Sequence, residues 1–210
     1  MPPKLNIAVF ASGKGSNFRA ILDAIRDGKI HNAAVRVVIS NNSSAGALDL
    51  ARERGIPARH ISRAQFQTDE EYNRTILETL RRNSVNFIVL AGYMKKIDPV
   101  IISQFKNRMI NIHPALLPRF GGKGMFGIHV HEAVIKSGES ESGATVHVVD
   151  GEYDHGTILM QKKVAVDPSE TAESLARKVL AVEHELFPEV VRRIAVGELT
   201  LDTDHPHPSR

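Results

Sequence analysis

The sequence predicts an α/β fold in which a Rossmann-like parallel core sheet carries helices on both faces and an antiparallel extension near its C-terminus. Short apolar runs alternate with segments whose apolar residues recur at helical spacing, which is typical of strand–helix–strand units. The run 87–91 is almost uniformly apolar, as expected of a strand buried on both faces. After residue 119, two strand-like segments follow each other across a turn, which predicts the antiparallel extension.

Local patterns predict the individual elements in order along the chain. Strands are predicted where apolar runs stand between turn-forming residues, at 5–10, 35–39, 87–91, 109–113, 144–149 and 157–166. Helices are predicted where apolar residues recur every three or four positions, at 17–29, 47–54, 68–83, 98–105, 131–137 and 171–196. A capping box at Thr68–Glu71 opens the third of these helices, and Pro188 is expected to kink the last.

The composition indicates a single cytoplasmic domain. A hydrophobic share of 42% can form a core, no apolar run is long enough to cross a bilayer, and the first residues lack a signal region. With no cysteine, the chain has neither disulfides nor thiolate metal ligands. We expect one domain at 1–196 and a tail at 197–210, whose polar, proline-rich residues 202–210 should be frayed.

The charge distribution argues against nucleic acid as a partner. The formal net charge is only +3, and acidic residues are interleaved with basic ones. This mild excess suits a small anionic substrate instead. We therefore expect small-molecule partners, no nucleic acid, no membrane, and a monomer or homodimer.

Asn111 and His113 are the strongest candidates for catalysis. They stand two residues apart at the end of an apolar run, so on a strand both side chains point the same way. Pro114 then ends the strand. A carboxamide beside an imidazole can hydrogen-bond a carbonyl oxygen and move a proton, which is the chemistry of acyl transfer. The alternative is that the pair merely satisfies backbone groups at the strand end.

The segment 12–17 forms a glycine-containing loop between the first strand and the first helix. Its backbone N–H groups and the helix dipole favour an anion, and glycine lets a phosphate approach closely. The loop lacks the third glycine of a dinucleotide-binding fingerprint, because position 18 is Phe, and it lacks the spacing of an ATP-binding loop. The loop is compatible with a monophosphate-binding site and with a plain turn between strand and helix.

Two other segments leave alternatives open. His129 and His131 could bind a metal together with His147 or Asp150, but no recognised zinc spacing is present. We expect packing or solvated histidines and no metal. The segment 120–127 contains four glycines and is either a mobile lid or a flexible surface insertion.

Four segments together resemble the folate-dependent phosphoribosylglycinamide formyltransferase family of purine biosynthesis. They read ASGKGSN at 11–17, LAGYM at 90–94, NIHPALLP at 111–118, and GATVH at 143–147 leading to DGEYD at 150–154. The resemblance runs from about residue 5 to residue 195 and implies a formyltransferase fold.

The resemblance also implies roles for individual residues. The positions that match the family's catalytic residues are Asn111, His113 and Asp154. Those that would bind the ribonucleotide are Gly15, Ser16, Asn17 and Glu183. Those that would bind the folate are Met94, Lys95, Lys96, Ile97, Asp150, Gly151, Glu152 and Tyr153.

The chain departs from the family pattern in two places. The segment 120–127 is longer and richer in glycine than the usual link, which leaves open whether His129 or His131 matches the family's secondary histidine. His155 and Thr157 stand where a glycine and a proline are common, so the conformation of the folate loop is also open.

The activity that the resemblance implies is transfer of a formyl group from 10-formyltetrahydrofolate, as co-substrate, to the amine of phosphoribosylglycinamide, without a metal. Asn111 would donate to the developing oxyanion, and His113, made more basic by Asp154, would move protons. A formyltetrahydrofolate hydrolase, methionyl-tRNA formyltransferase and a non-catalytic phosphate-binding module are the alternatives. The phosphate loop and Glu183 favour a transferase over the hydrolase, which has no phosphorylated second substrate.

Overall fold

The computed structural model describes residues 2–201, in which a seven-stranded sheet lies between two layers of helices. The strands are β1 Leu5–Phe10, β2 Ala33–Ser40, β3 Ala58–His60, β4 Phe87–Leu90, β5 Met109–His113, β6 Glu141–Val148 and β7 Ile158–Ala165. The helices are α1 Ser16–Arg26, α2 Gly46–Glu53, α3 Asp69–Arg82, α4 Pro99–Gln104, α5 Ile128–Ser137 and α6 Ala172–Ala195. A 3₁₀ turn, Arg63–Gln65, precedes α3.

The strand order confirms the predicted fold class. Neighbouring strands follow the order β3-β2-β1-β4-β5-β6-β7. The first five pair in parallel, whereas β6 is antiparallel to β5 and β7 is antiparallel to β6. Because the order reverses between β1 and β4, the loops that follow these two strands lie side by side at the carboxyl edge. Open α/β sheets bind ligands at such a point.

Two apolar clusters, one on each face of the sheet, explain the uniformly apolar strand β4. Phe87 and Val89 belong to the larger cluster, which also contains side chains of α1, α2, α5 and α6. Ile88 and Leu90 belong to the other cluster, together with side chains of α3 and α4. Since successive side chains of a strand point to opposite faces, both faces of β4 are buried.

Four of the strands and α-helices differ from the sequence prediction by three residues or more. Strand β6 begins at Glu141, three residues before its predicted start. The edge strand β3 was not predicted, because its three residues show no apolar run and it exists through pairing with β2. Helix α1 ends at Arg26, three residues before the predicted end. Helix α5 begins at Ile128, three residues before the predicted start, directly after Gly127 with its positive φ of 58°.

The predicted capping box at the start of α3 is formed in part. The Thr68 hydroxyl accepts from the backbone N–H of Glu71, as expected of an N-cap. The Glu71 carboxylate accepts from the N–H of Gln67 instead of that of Thr68. The reciprocal half of the box is therefore shifted by one residue.

Helix α6 runs from Ala172 to Ala195 with Pro188 inside it, and the expected kink stays a prediction. Leu199 and Leu201, beyond the predicted domain boundary at 196, pack against the larger cluster. The boundary itself stays a prediction, and residues 202–210 lie outside the described part of the chain. Among the helices of residues 2–201, none combines the length and apolar character needed to cross a membrane.

Candidate active site

A cleft of about 640 Å³ opens at the carboxyl edge of the sheet. This volume lies within the range of small-molecule sites. Most of the predicted site residues line it, namely Asn17, Met94, Lys95, Lys96, Ile97, Asn111, His113, Asp150, Glu152, Tyr153, Asp154 and Glu183. Gly15, Ser16 and Gly151 are not among the lining residues. The fold thus brings segments from β1, β4, β5, β6 and α6 to one cavity.

Asp154 is the centre of the polar cluster in this cleft. One carboxylate oxygen, Oδ2, lies 3.5 Å from His113 Nδ1 and accepts from the N–H of Gly122 at 2.9 Å. The other, Oδ1, lies 3.5 Å from Asn111 Nδ2 and 3.5 Å from His147 Nε2. The three residues that match the family's catalytic positions are therefore neighbours in space.

The hydrogen bonds of His113 indicate which ring nitrogen exchanges a proton. Its Nε2 lies 2.7 Å from the carbonyl oxygen of Phe120. A carbonyl can only accept, so Nε2 carries the proton of the neutral ring and Nδ1 is left unprotonated. At 3.5 Å from Asp154, Nδ1 is too far for a strong hydrogen bond and can meet a ligand atom.

Burial has the largest effect on the pKa of His113. It lowers the pKa of His113 below its ordinary value, and the charge of Asp154 and the hydrogen bond to Phe120 offset this only in part. Asp154 raises the pKa of His113, as expected, but burial outweighs this charge and the net pKa lies below the ordinary value. The ring is consequently neutral at pH 7 and able to accept a proton.

The same environment keeps Asp154 charged. Burial opposes ionisation, but the adjacent His147 and His113 rings and the hydrogen bond from the Gly122 N–H together hold the pKa of Asp154 below its ordinary value. Asp154 also has a positive φ of 54°, a conformation that Asp and Asn tolerate better than most residues. The acidic turn thus presents a carboxylate to His113.

His147 belongs to the cluster, although the sequence analysis did not place it among the site residues. It pairs with Asn111 across the antiparallel strands β5 and β6. Its Nδ1 donates to the Val148 carbonyl at 2.9 Å, so Nε2 accepts from Asn111 Nδ2 at 3.0 Å. The register between β5 and β6 places His147 beside Asn111, and the sequence of β6 alone does not reveal that register.

The structure distinguishes His131 from His129. Both lie in α5, where a separation of two residues points their side chains to different sides of the helix. His131 is 5% exposed, lines the cleft, and leaves its Nδ1 without a hydrogen-bond partner. Burial, and then the nearby His113, lower its pKa. His129 is exposed and pairs with Glu132 instead.

No group of three or more His, Cys, Asp or Glu side chains within residues 2–201 is arranged to hold a metal ion.

The glycine loop lies at the start of α1, as predicted. Gly15 is the N-cap residue, with a positive φ of 77° and no side-chain cap. A Cβ atom there would lie 2.9 Å from both Cα and Cβ of Ala47 in α2, so only glycine fits. The N-terminal N–H groups of α1 are therefore left for an anion or water.

Glu183 joins this loop to the last helix. Its Oε2 accepts from Asn17 Nδ2 at 2.6 Å, and the residue is only 7% exposed. Burial raises the pKa of Glu183 to about 7, and the hydrogen bond from Asn17 works against this rise. Asn17 Oδ1 is buried and has no hydrogen-bond partner. The pair thus forms a buried polar end of the cleft.

The segment predicted to bind folate forms a mixed apolar and charged wall. Ile97 is buried, whereas Met94 and Tyr153 are about half exposed, at 50% and 47%. The Lys96 ammonium lies 5.4 Å from the centre of the Tyr153 ring, within the range of a cation–π contact. His155 pairs with Asp150 at 3.1 Å. Half-exposed apolar side chains at the cleft suit a flat heteroaromatic ligand.

A protein-family model described as formyl transferase matches residues 5–191. The chain belongs to the formyl transferase family. The match covers all seven strands of the sheet and α6 to within a few residues of its end.

Relatives within this family carry more specific names. The chain is 43% identical over 194 residues to the chloroplastic phosphoribosylglycinamide formyltransferase of Arabidopsis thaliana, covering 92% of this chain and 66% of that protein. It is 34% identical over 197 residues to phosphoribosylglycinamide formyltransferase of Escherichia coli, covering 94% and 90%. The chain thus spans somewhat less than two thirds of the plant relative and most of the bacterial one.

A solved structure agrees with this assignment. The fold matches the crystal structure of glycinamide ribonucleotide transformylase 1 from Symbiobacterium toebii with a TM-score of 0.87 and 36% identity. The match covers 95% of this chain and 91% of that chain. The formyltransferase fold expected from the sequence is therefore confirmed.

Proposed function

We propose that this chain transfers the formyl group of 10-formyltetrahydrofolate to the amine of phosphoribosylglycinamide, a step of de novo purine biosynthesis. One observation carries the proposal: a single cleft contains the cluster of Asn111, His113 and Asp154 together with the buried pair of Asn17 and Glu183. The first group has the donors and the base that formyl transfer needs. The second has the polar atoms that a ribose needs.

The reaction requires the exchange of one carbon–nitrogen bond for another. The substrate amine attacks the formyl carbon, the carbonyl oxygen becomes an oxyanion, and collapse breaks the bond to the folate nitrogen. One proton leaves the attacking amine, and one arrives at the departing nitrogen. The protein must therefore stabilise an oxyanion and carry a proton between two nitrogens.

Asn111 is the proposed oxyanion donor. One N–H of its side chain is held by His147 at 3.0 Å, which fixes the plane of the amide. The contact from the same nitrogen to Asp154, at 3.5 Å, is at the limit of a hydrogen bond. The second N–H can therefore turn to a substrate oxygen at little cost.

His113 is the proposed proton carrier. Its Nε2 is anchored on the Phe120 carbonyl, so Nδ1 accepts the proton and later releases it. Asp154 stands 3.5 Å from Nδ1 and stabilises the imidazolium that forms in between. The low pKa of the resting ring keeps it unprotonated until the amine arrives. No step needs a metal.

Substrate binding is proposed to occur at two places. The amides of Gly15, Ser16 and Asn17 at the start of α1 would hold the phosphate, and Glu183 would accept from the ribose hydroxyls. Anchoring these remote groups would orient the amine towards the formyl carbon. The folate would lie along Met94–Ile97 and Asp150–Tyr153, where the cleft offers apolar surface.

We further propose a cytoplasmic location, small-molecule partners only, and a monomer or homodimer. A chain without cysteine suits a reducing compartment, because no disulfide has to form.

The decisive assay mixes purified protein with 10-formyltetrahydrofolate, with and without phosphoribosylglycinamide. We expect slow deformylation of the folate alone and an acceleration by orders of magnitude with the ribonucleotide, because a bound amine replaces a poorly positioned water. The product should be the formylated ribonucleotide. Rapid release of free formate without the ribonucleotide would contradict the transferase and favour the hydrolase. Binding of both ligands without turnover would favour the non-catalytic module.

A further inference from the structure

We propose that Ser12 is a positioning residue that couples the nucleotide loop to the folate-binding backbone, so that each substrate strengthens the binding of the other. This inference rests on the proposed function. Ser12 has no role in the proposed mechanism: it does not line the cleft, and it is not one of the three loop residues proposed to bind the phosphate.

Ser12 joins three segments that are far apart in sequence. Its hydroxyl accepts from the backbone N–H of Met94 at 2.8 Å and donates to Asn41 Oδ1 at 2.5 Å. Its own backbone N–H donates to the Gly92 carbonyl at 3.0 Å. The residue thus connects the end of β1 with the loops that follow β4 and β2.

The direction of these hydrogen bonds is fixed. The N–H of Met94 can only donate, so the Ser12 oxygen must accept there, and the single hydroxyl proton goes to Asn41. A methyl group in place of the hydroxyl would leave the Met94 N–H and the Asn41 oxygen without this partner. Within residues 2–201, the Ser12 hydroxyl is the side-chain acceptor of the Met94 N–H.

The contact lies at the junction of the two proposed substrate sites. On one side of Ser12 begins the loop that leads to Gly15, and on the other begins the folate segment at Met94. The loop has a second anchor, because the Gly13 carbonyl accepts from the N–H of Ala47 in α2 at 3.1 Å. A phosphate that orders the loop against α2 would therefore also order Ser12, and through it the backbone of Met94.

The test compares Ser12→Ala with Ser12→Thr, which keeps the hydroxyl. The matched control is Ser44→Ala, which removes an exposed hydroxyl whose partner is Asn42 and which contacts neither proposed site. Affinities for phosphoribosylglycinamide and for tetrahydrofolate, which has no formyl group to transfer, are measured singly and with the other ligand saturating. Amide hydrogen exchange at Met94 is followed in the same samples.

In the wild type and in the Ser44→Ala control, each ligand should raise the affinity of the protein for the other roughly tenfold. The ribonucleotide should also slow amide hydrogen exchange at Met94. Ser12→Ala should bind the ribonucleotide alone as well as the wild type, yet lose most of the coupling and the protection at Met94. Ser12→Thr should restore both. A folded Ser12→Ala variant that keeps the wild-type coupling would overturn the inference, as would a wild type with no coupling. Failure of the wild type to bind either ligand would instead contradict the proposed function.

Discussion

The side-chain amide of Asn17 donates a 2.6 Å hydrogen bond to the carboxyl group of Glu183, which lies 166 residues later in the chain. Burial raises the pKa of Glu183, and the hydrogen bond from Asn17 lowers it. Burial prevails and raises that pKa to about 7. Burial of a carboxyl group that is half ionised at neutral pH lowers the free energy of unfolding. The same group can accept hydrogen bonds from a ligand.

The first prediction follows from this cost. An unfolded Glu183 releases its proton near pH 4.5 and the folded one near pH 7, so its contribution favours folding at low pH and is progressively lost between those values. The difference corresponds to about 3 kcal/mol above pH 7. Glu183→Gln should therefore raise the free energy of unfolding by up to about that amount at pH 8 and by almost nothing at pH 4.5.

Chemical denaturation at the two pH values measures this difference. The same variant should bind the ribonucleotide at least about tenfold more weakly, because a neutral amide replaces a charge-assisted acceptor. Glu185→Gln is the matched control, since Glu185 is an exposed glutamate of the same helix that pairs with Lys162. Equal stabilisation of Glu183→Gln at both pH values would show that the carboxyl group titrates normally.

The second prediction concerns the candidate catalytic pair. Asn111→Ala and His113→Ala should each lower kcat roughly a hundredfold or more, because one removes the oxyanion donor and the other the proton carrier. Circular dichroism should show an intact fold. His129→Ala, which removes an exposed histidine outside the cleft, should retain nearly full activity. Near-normal turnover in a folded Asn111 or His113 variant would exclude that residue from the mechanism.

The third prediction is a shift of the pH–rate profile. Asp154→Asn deletes the nearby charge that raises the pKa of His113, so this pKa should fall further. Activity requires the unprotonated ring, and its acid-side limb should therefore move to lower pH while kcat drops. Asparagine tolerates the positive φ of 54° at this position, so the turn should persist. An unchanged acid limb in the active variant would mean that Asp154 only shapes the loop.

The fourth prediction separates two glycines of the nucleotide loop. Gly15→Val should impair folding, because its Cβ would meet Ala47 at 2.9 Å and φ is +77°. At Gly13, a Cβ would meet no atom within 4 Å, so Gly13→Val should fold normally. If a phosphate is held by this loop, Gly13→Val should raise the KM for the ribonucleotide at least about tenfold and leave that for the folate unchanged. Equal losses for both substrates would indicate a general defect.

The fifth prediction concerns the glycine-rich segment 120–127. Its first residues are tied to the cluster, since Phe120 accepts from His113 and Gly122 donates to Asp154. We expect the amide of Gly122 to exchange slowly even without ligands, and those of 123–127 to gain protection when both substrates bind. Hydrogen exchange with and without the two ligands distinguishes a lid from an inert insertion, whose protection would not change.

The sequence by itself determined the features that depend on local patterns. Apolar runs identified six of the seven strands, and β5 has the predicted bounds, Met109–His113. The alternation of side chains along that strand placed Asn111 and His113 on one face. The capping signal at Thr68 marked where α3 begins. These features follow from propensity and periodicity, which act over a few residues.

The tertiary structure alone decided the features that depend on distant segments. His147 joins the cluster because β6 pairs with β5 in one particular register. The pKa of His113 is lowered although Asp154 is near, because burial of the ring has the larger effect. That burial depends on all the segments packed around the ring. Ser12 reaches Met94 because the strand order places β1 beside β4. Register, burial and strand order are properties of the packed chain, and no local pattern contains them.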